Sequence, residues 1–272
     1  PDIDGFLVGG ASLKPEFKDI VAAISQAKGV TPNLFCAQES TDFAHAQLQS
    51  KGPRSDADKG NPSGASKQLF DDGITCVGAW SCTPGGFPVV NRSTTEVFYV
   101  IEGEGFISDA DGTPHSFRPG DLVVLPKGWS GRWDILKTIR KVWVVNSHVE
   151  DLAPAESGRA IIAGPEYFTF PELAGKGPRK ADWGEPEDFT RGLCALGPTS
   201  VGGWACTPGG FQGTPNRPTT EIFYVLEGTA VMTNIDGTSR MVTAGDTVVL
   251  PKGWSGRWDI VETIRKVWVL AK

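Results

Sequence analysis

The sequence predicts an all-β chain in which one barrel or sandwich is built twice, preceded by a short N-terminal βα extension. Three observations carry that prediction. The stretch Thr95-Glu96-Val97-Phe98-Tyr99-Val100-Ile101-Glu102-Gly103 returns almost unchanged as Thr220-Glu221-Ile222-Phe223-Tyr224-Val225-Leu226-Glu227-Gly228. Each copy is a β-branched and aromatic run closed by Glu-Gly, the pattern of a buried strand entering a turn. Each is followed at the same distance by a second shared block, Gly120-Asp121 through Trp129 and Gly245-Asp246 through Trp254. A repeat at fixed offset means one folding unit used twice. Around these blocks, short apolar runs alternate with turn signals roughly every 8–12 residues and show no helical period, as in sandwiches and barrels.

The remaining bulk properties bound the function. A chain of 272 residues is long enough for two domains, each with its own core. Its formal net charge is −6 and no basic run stands out, which argues against a nucleic-acid partner. No apolar stretch approaches the ~20 residues a membrane span requires. The five cysteines are odd in number and lack C-x-x-C spacing. Cys82 and Cys206 fall at equivalent repeat positions, so small buried thiols are expected rather than disulfides, in an intracellular compartment, cytosol or organelle. The chain opens at Pro1 without a Met, and the expectation is that upstream sequence, with any targeting signal, is missing.

In order along the chain, residues 3 to 8 read as a strand, Gly9-Gly10-Ala11-Ser12 as a tight loop and Pro15 onward as a helix. Phe17, Ile20, Val21 and Ile24 form its apolar stripe. Gly5-Phe6-Leu7-Val8-Gly9-Gly10-Ala11-Ser12-Leu13-Lys14-Pro15-Glu16-Phe17 closely resembles the final βα unit of triosephosphate isomerase. By that resemblance Gly9 and Gly10 are phosphate-binding residues. The family's catalytic residues have no counterpart in this segment, and one βα unit cannot close a barrel. Residues 1–29 are therefore expected to be a remnant of a fused enzyme rather than a working isomerase.

Residues 29 to 68 read mostly as loop, with Ser50 to Gly64 polar and rich in chain breakers. Lys51-Gly52-Pro53-Arg54 reappears as Lys176-Gly177-Pro178-Arg179, so these loops belong to the repeated unit. Strands are expected at Ile74–Trp80, Glu96–Ile101, Gly105–Ser108, His115–Arg118, Leu122–Leu125, Gly131–Ile135 and Ile139–Val145. Turns fall at Thr83–Gly86 and Asp111-Gly112. Residues 146 to 165 form a surface crossover, and the second unit repeats the programme. The expected domains are 1–29, 30–150 and 151–272.

Glu96 with Gly103, and Glu221 with Gly228, fit the closing Glu-x6-Gly of the first cupin motif. Gly120 to Gly128, and Gly245 to Gly253, fit the Gly-x5-Pro-x-Gly that opens the second. The chain thus resembles a bicupin, two tandem jelly-roll barrels. Trp-x-Cys-Thr-Pro-Gly-Gly-Phe and Pro-Lys-Gly-Trp-Ser-Gly-Arg-Trp are similar to the cupin group of ureidoglycine aminohydrolase and the EutQ protein. Metal-binding members of the family supply His-x-His before the motif Glu and another His after Pro-x-Gly. Here those places fall among Val89 to Arg92 and at Gly131, and among Thr214 to Arg217 and at Gly256. None of the three histidines, His45, His115 and His148, lies in a motif, so neither a metal nor another cofactor is expected.

What the resemblance leaves at each barrel mouth is a carboxylate, a guanidinium and indoles. Glu96 and Glu221 are the candidate catalytic residues, acid or base if burial raises their pKa. Arg92, Trp133 and Arg140, with Arg217, Trp258 and Arg265, are the candidate ligand-binding residues, flanked by Asn91, Trp129 and Arg132. The same residues also suit simple Glu–Arg pairing and Trp packing. Arg140-Lys141 and Arg265-Lys266, beside Trp143 and Trp268, suit a cation–π ladder or an exposed barrel strand. The favoured function is a metal-free bicupin binding a small polar or anionic metabolite. Alternatives are a structural or accessory subunit, through a protein partner or homodimer, and a metal-independent ureide or sugar hydrolase or isomerase using Glu96 or Glu221.

Overall fold

The structure is a computed structural model that describes residues 31–147 and 158–272. The expected N-terminal βα unit, Gly9, Gly10 and His148 lie outside the described residues. Within them the chain is nearly all β, folded as two ten-stranded sheets that each close on their own core. The first sheet runs in the order Ile161–Ala163, Leu122–Leu125, Thr95–Asp109, Gly131–Asn146, Thr75–Cys82, Ser63–Asp71 and Gln49–Pro53. The second runs Phe35–Gln38, Asp246–Leu250, Thr220–Asn234, Gly256–Ala271, Thr199–Cys206, Glu187–Leu196 and Ala174–Pro178. No helix among the described residues is long and apolar enough to cross a membrane.

Two pairs of expected strands are in fact one strand each. Thr95–Asp109 runs unbroken past Gly103, and Gly131–Asn146 runs unbroken past Thr138, with the register slipping between Ile135 and Lys141. The slip explains the Glu-x6-Gly spacing. Gly103 adopts φ +91°, and a Cβ there would lie 2.5 Å from the Ile139 Cα. Gly228 is equally constrained against Ile264. Only glycine fits such a bulge.

The segments read as loop contain short polar strands. Gln49–Pro53 pairs with Ser63–Asp71, and Gly85–Val89, partly read as a turn, pairs with Gly131–Ile135. Their sequences hide them because edge strands carry Gly, Pro and charge in place of an apolar alternation.

The segments preceding each barrel are exchanged. Phe35–Gln38 pairs with Asp246–Leu250 of the second barrel, and Ile161–Ala163 pairs with Leu122–Leu125 of the first. One acceptor at equivalent positions fixes each segment. Asp109 Oδ1 accepts from the Ala160 N–H and the Trp129 indole N–H, both at 2.8 Å. Asn234 Oδ1 accepts from the Leu34 N–H at 2.9 Å and the Trp254 indole at 2.8 Å.

Strand alternation divides each central strand between two cores. Glu96, Phe98 and Val100 face the interior of the first barrel, whereas Val97 and Tyr99 face the second barrel. Val97, Val142 and Val144 meet Ile222, Val267 and Val269 there, with Phe43 and Phe168 of the exchanged segments buried among them. Tyr99 and Tyr224, equivalent residues, stack at 4.5 Å between centroids. Like meets like, the pattern of a two-fold interface.

Candidate functional site

Each barrel contains a cavity at the same place. In the first it measures about 310 Å³ and is lined by Arg54, Trp80, Phe87, Arg92, Glu96, Trp133, Lys141 and Trp143 among others. In the second it measures about 230 Å³ and is lined by Arg179, Trp204, Phe211, Arg217, Glu221, Trp258, Lys266 and Trp268 among others. These sixteen residues are eight equivalent pairs, so the two sites share one design.

Their placement follows from strand parity. On Gly131–Asn146 the inward residues are Trp133, Ile135, Ile139, Lys141, Trp143 and Val145. Lys141 lies opposite Trp80 on one neighbouring strand and Val100 on the other. Its four-carbon stem carries the ammonium along the barrel to Glu96 Oε1, at 2.8 Å. The other carboxylate oxygen, Oε2, is 3.1 Å from Arg92 Nη2. In the second barrel Lys266 Nζ is 2.7 Å from Glu221 Oε1, and Arg217 Nη2 is 2.6 Å from Glu221 Oε2.

Arg92 sits on a loop that the second shared block holds in place. Asn91 takes the left-handed φ of +45°, and its N–H donates to Ser130 Oγ at 2.9 Å. The Arg92 N–H donates to the Trp129 carbonyl at 3.0 Å, and its carbonyl accepts from the Gly128 N–H at 2.7 Å. Asn216, Arg217, Gly253, Trp254 and Ser255 repeat these bonds. The Pro-Lys-Gly-Trp-Ser block is thus a clamp on the Asn-Arg turn.

The ammonium is ringed by aromatic faces. Lys141 Nζ lies 3.8 Å from the Phe98 centroid, 4.7 Å from Trp133 and 4.9 Å from Trp80. Lys266 Nζ lies 3.9 Å from Phe223, 4.6 Å from Trp258 and 4.7 Å from Trp204. A desolvated ammonium gains most from such faces. Burial pushes the Glu96 carboxyl up, but Lys141 and Arg92 more than offset it and hold it below the usual carboxylate range. The same balance lowers Glu221. For Lys141 and Lys266 burial leads, drawing the ammonium pKa down against the pull of the paired glutamate. Each glutamate is thus held in its ionised form between two cations.

The structure brings together Glu96, Arg92 and Trp133, and likewise Glu221, Arg217 and Trp258. It does not bring Arg140 or Arg265 to the cavities, because each precedes an inward lysine on its strand and so faces the other way. Arg140 bonds Glu39 Oε1 at 2.6 Å, Glu102 Oε1, and the Phe43 carbonyl at 3.4 Å. Arg265 bonds both oxygens of Glu227, at 3.0 and 2.9 Å, and the Phe168 carbonyl at 2.9 Å. Both are clasps on the exchanged segments. Trp129 and Trp254 are fully buried behind the site, and Arg132 pairs with Asp58 and Asp134 at its rim.

Sequence reasoning missed Lys141 and Lys266 as site residues, reading an exposed strand as an equal alternative. They are 4% and 3% exposed. The available signal was parity: each lies an even number of positions from an inward tryptophan of its own strand. Arg54 and Arg179 were also missed. They lie over the Phe87 and Phe211 rings at 3.7 and 4.3 Å, brought there by edge strands with no apolar pattern.

A divalent metal does not fit these residues. Both oxygens of each glutamate already serve organic cations, and among the described residues neither cavity is lined by an imidazole, a thiolate or a second carboxylate. Among the described residues no three His, Cys, Asp or Glu side chains converge. A side chain at Gly131 would place its Cβ 2.3 Å from the Trp129 ring, and one at Gly256 would lie 2.3 Å from the Trp254 ring. The Ser108 and Thr233 carbonyls stand as close, at 2.2 and 2.4 Å, so glycine alone fits these two positions.

The EutQ-like cupin domain model matches residues 71–143 and 193–268, more than half of the chain. Among solved structures, the chain is similar to a DUF861-family protein of unknown function from Pseudomonas syringae pv. tomato. The TM-score is 0.66 at 18% identity, over 88% of this chain and 100% of that one. It is also similar to a putative glyoxylate-induced protein from Pseudomonas aeruginosa, with TM-score 0.63 at 14% identity, over 89% of each chain. The protein Ylba from E. coli matches with TM-score 0.56 at 11% identity, over 88% of this chain and 91% of that one. At these identities the likeness is one of fold.

Proposed function

The chain belongs to the EutQ-like cupin family, and from that premise we propose that it binds a small organic anion in each barrel without a metal. The observation that carries this reading is the charge inventory of the cavities. Arg54 is matched by Asp56, and Arg179 by Asp188. Among the described residues Arg92 and Lys141 then share the one carboxylate of Glu96, and Arg217 and Lys266 that of Glu221. Each cavity keeps one positive charge in excess, inside walls of Trp and Phe. A monoanion with a flat or apolar body balances that charge and covers those faces.

The volumes suit a metabolite of modest size. Both fall at or just below the lower end of the ~300–1,000 Å³ common for ligand sites. The test is a thermal-shift panel of small carboxylates, each beside its neutral amide. Carboxylates should raise the melting temperature of the full chain and the amides should not. The effect should fall by half when Arg92→Met removes one site and vanish when Arg217→Met is added. A panel in which amides act as well as acids, or in which the double variant responds like the parent, refutes the reading.

A further inference from the structure

The two barrels give two separate views of the same substitution. In each, a lysine rooted on the long strand Gly131–Asn146 or Gly256–Ala271 delivers its ammonium to one oxygen of the inward glutamate, at 2.8 Å in the first barrel and 2.7 Å in the second. In each, an arginine holds the other oxygen. In each, three aromatic rings stand around the ammonium with centroids within 4.9 Å. At Gly131 and Gly256 a side chain would collide with Trp129 or Trp254 and with a neighbouring backbone carbonyl. Neither carboxylate is left to solvent: Glu96 and Glu221 are 7% and 8% exposed, with both oxygens of each on cations.

We infer that Lys141 and Lys266 are the built-in cations of the two barrels, each ammonium taking the place beside the glutamate that a divalent metal would need. Three features make this a site rather than a chance ion pair. The ammonium is held by charge on one side and by ring faces on the others, a geometry that selects an organic cation. The ligand of the carboxylate is covalently part of the chain, so the barrel is loaded in every molecule and at every metal concentration. Truncating the lysine leaves a cage shaped for the fragment removed. The chemical class that cage takes is a small primary alkylammonium.

This inference does not depend on the identity, or the existence, of a bound anion, so it stands or falls apart from the proposed function. The experiment is chemical rescue of the full chain. Lys141→Ala and Lys266→Ala are made singly and melted with propylammonium chloride, with 1-propanol, with Mn²⁺ and with Zn²⁺, beside the parent chain. Propylammonium, the part of the lysine beyond Cβ, should recover at least half of the lost melting temperature and leave the parent unchanged. The alcohol and the metals should recover none. Recovery by 1-propanol equal to that by the amine would reduce the lysine to a space-filler and overturn the inference. So would recovery by a metal, or parent chain that retains Mn²⁺ or Zn²⁺ in stoichiometric amount after equilibration and dialysis. Should the alanine variants not fold, Lys141→Met and Lys266→Met keep the shape and remove the charge. A methionine variant as stable as the parent overturns the inference; one that melts lower and gains nothing from metal supports it.

Discussion

Removing the charge from Lys141 while keeping its volume is the sharpest perturbation of this molecule. In Lys141→Met the Glu96 carboxylate, 7% exposed, retains Arg92 at 3.1 Å but loses the ammonium at 2.8 Å. Breaking a buried pair from one side costs about 3–5 kcal/mol, because the remaining charge stays desolvated. The surviving arginine places Lys141→Met at the lower end, about 3 kcal/mol. Glu96→Gln leaves the ammonium among Phe98, Trp133 and Trp80 with Arg92 near by, so like charges face one another and the cost is at least as large. Both changes together remove the Lys141–Glu96 pair but leave Arg92 without its carboxylate, so the double variant should lie about 3 kcal/mol below the parent, where additive effects would give about 6 kcal/mol or more. The cycle therefore predicts a coupling of about 3 kcal/mol or more. At roughly 2–4 °C per kcal/mol for a chain of this size, each single variant should melt roughly 6–20 °C lower. Equilibrium unfolding in urea, followed by tryptophan fluorescence, measures the cycle directly. Lys266 with Glu221 supplies an internal replicate. A single variant within about 1 kcal/mol of the parent, or a coupling below about 0.5 kcal/mol, refutes the physical account.

Four further outcomes are expected. Phe168, 1% exposed in the contact between barrels, should cost about 3–5 kcal/mol as Phe168→Ala. Gly203→Ala should cost about 1–3 kcal/mol, because its Cβ would lie 2.5 Å from the Phe168 ring, whereas Gly192→Ala meets nothing within 4 Å and should spare the fold. Urea midpoints distinguish them, and equal effects at the two glycines would contradict the packing. Acid should destabilise the chain through carboxyls whose folded pKa is depressed, Glu96, Glu221, Asp134 and Asp259. Their contribution is present above the unfolded values of roughly 3.9–4.3 and lost as pH falls toward the folded ones. Melting temperatures flat from neutrality to about pH 3 would exclude this. At the alkaline end burial raises the pKa of both Tyr99 and Tyr224. Their contribution is full below about pH 10 and lost above it. Ultraviolet titration should show Tyr99 and Tyr224 ionising only above the ordinary tyrosine value, and their ionisation at that value would contradict the burial.

The repeated runs around Glu96 and Glu221, with their Glu-x6-Gly and Gly-x5-Pro-x-Gly spacings, made the duplicated β fold legible before any coordinates. They also made legible the glutamates, Arg92, Arg217, Trp133 and Trp258, since a strand's alternation and a fixed spacing are local properties that the sequence carries in full. The exchange of Phe35–Gln38 and Ile161–Ala163 between barrels was not legible. A short strand pairs through its backbone, and its side chains do not name its partner.

The same boundary runs through the site. Sequence by itself determined that each barrel keeps one carboxylate and lacks the imidazoles of a metal centre. Only tertiary structure decided what the two neighbouring cations meet, because their partners lie far off along the chain: Lys141 bonds Glu96 inside the barrel, whereas Arg140 bonds Glu39 and the Phe43 carbonyl of the exchanged segment. Pattern along the chain fixes which residues are available; which cation meets which anion is set by strands that lie far apart in sequence.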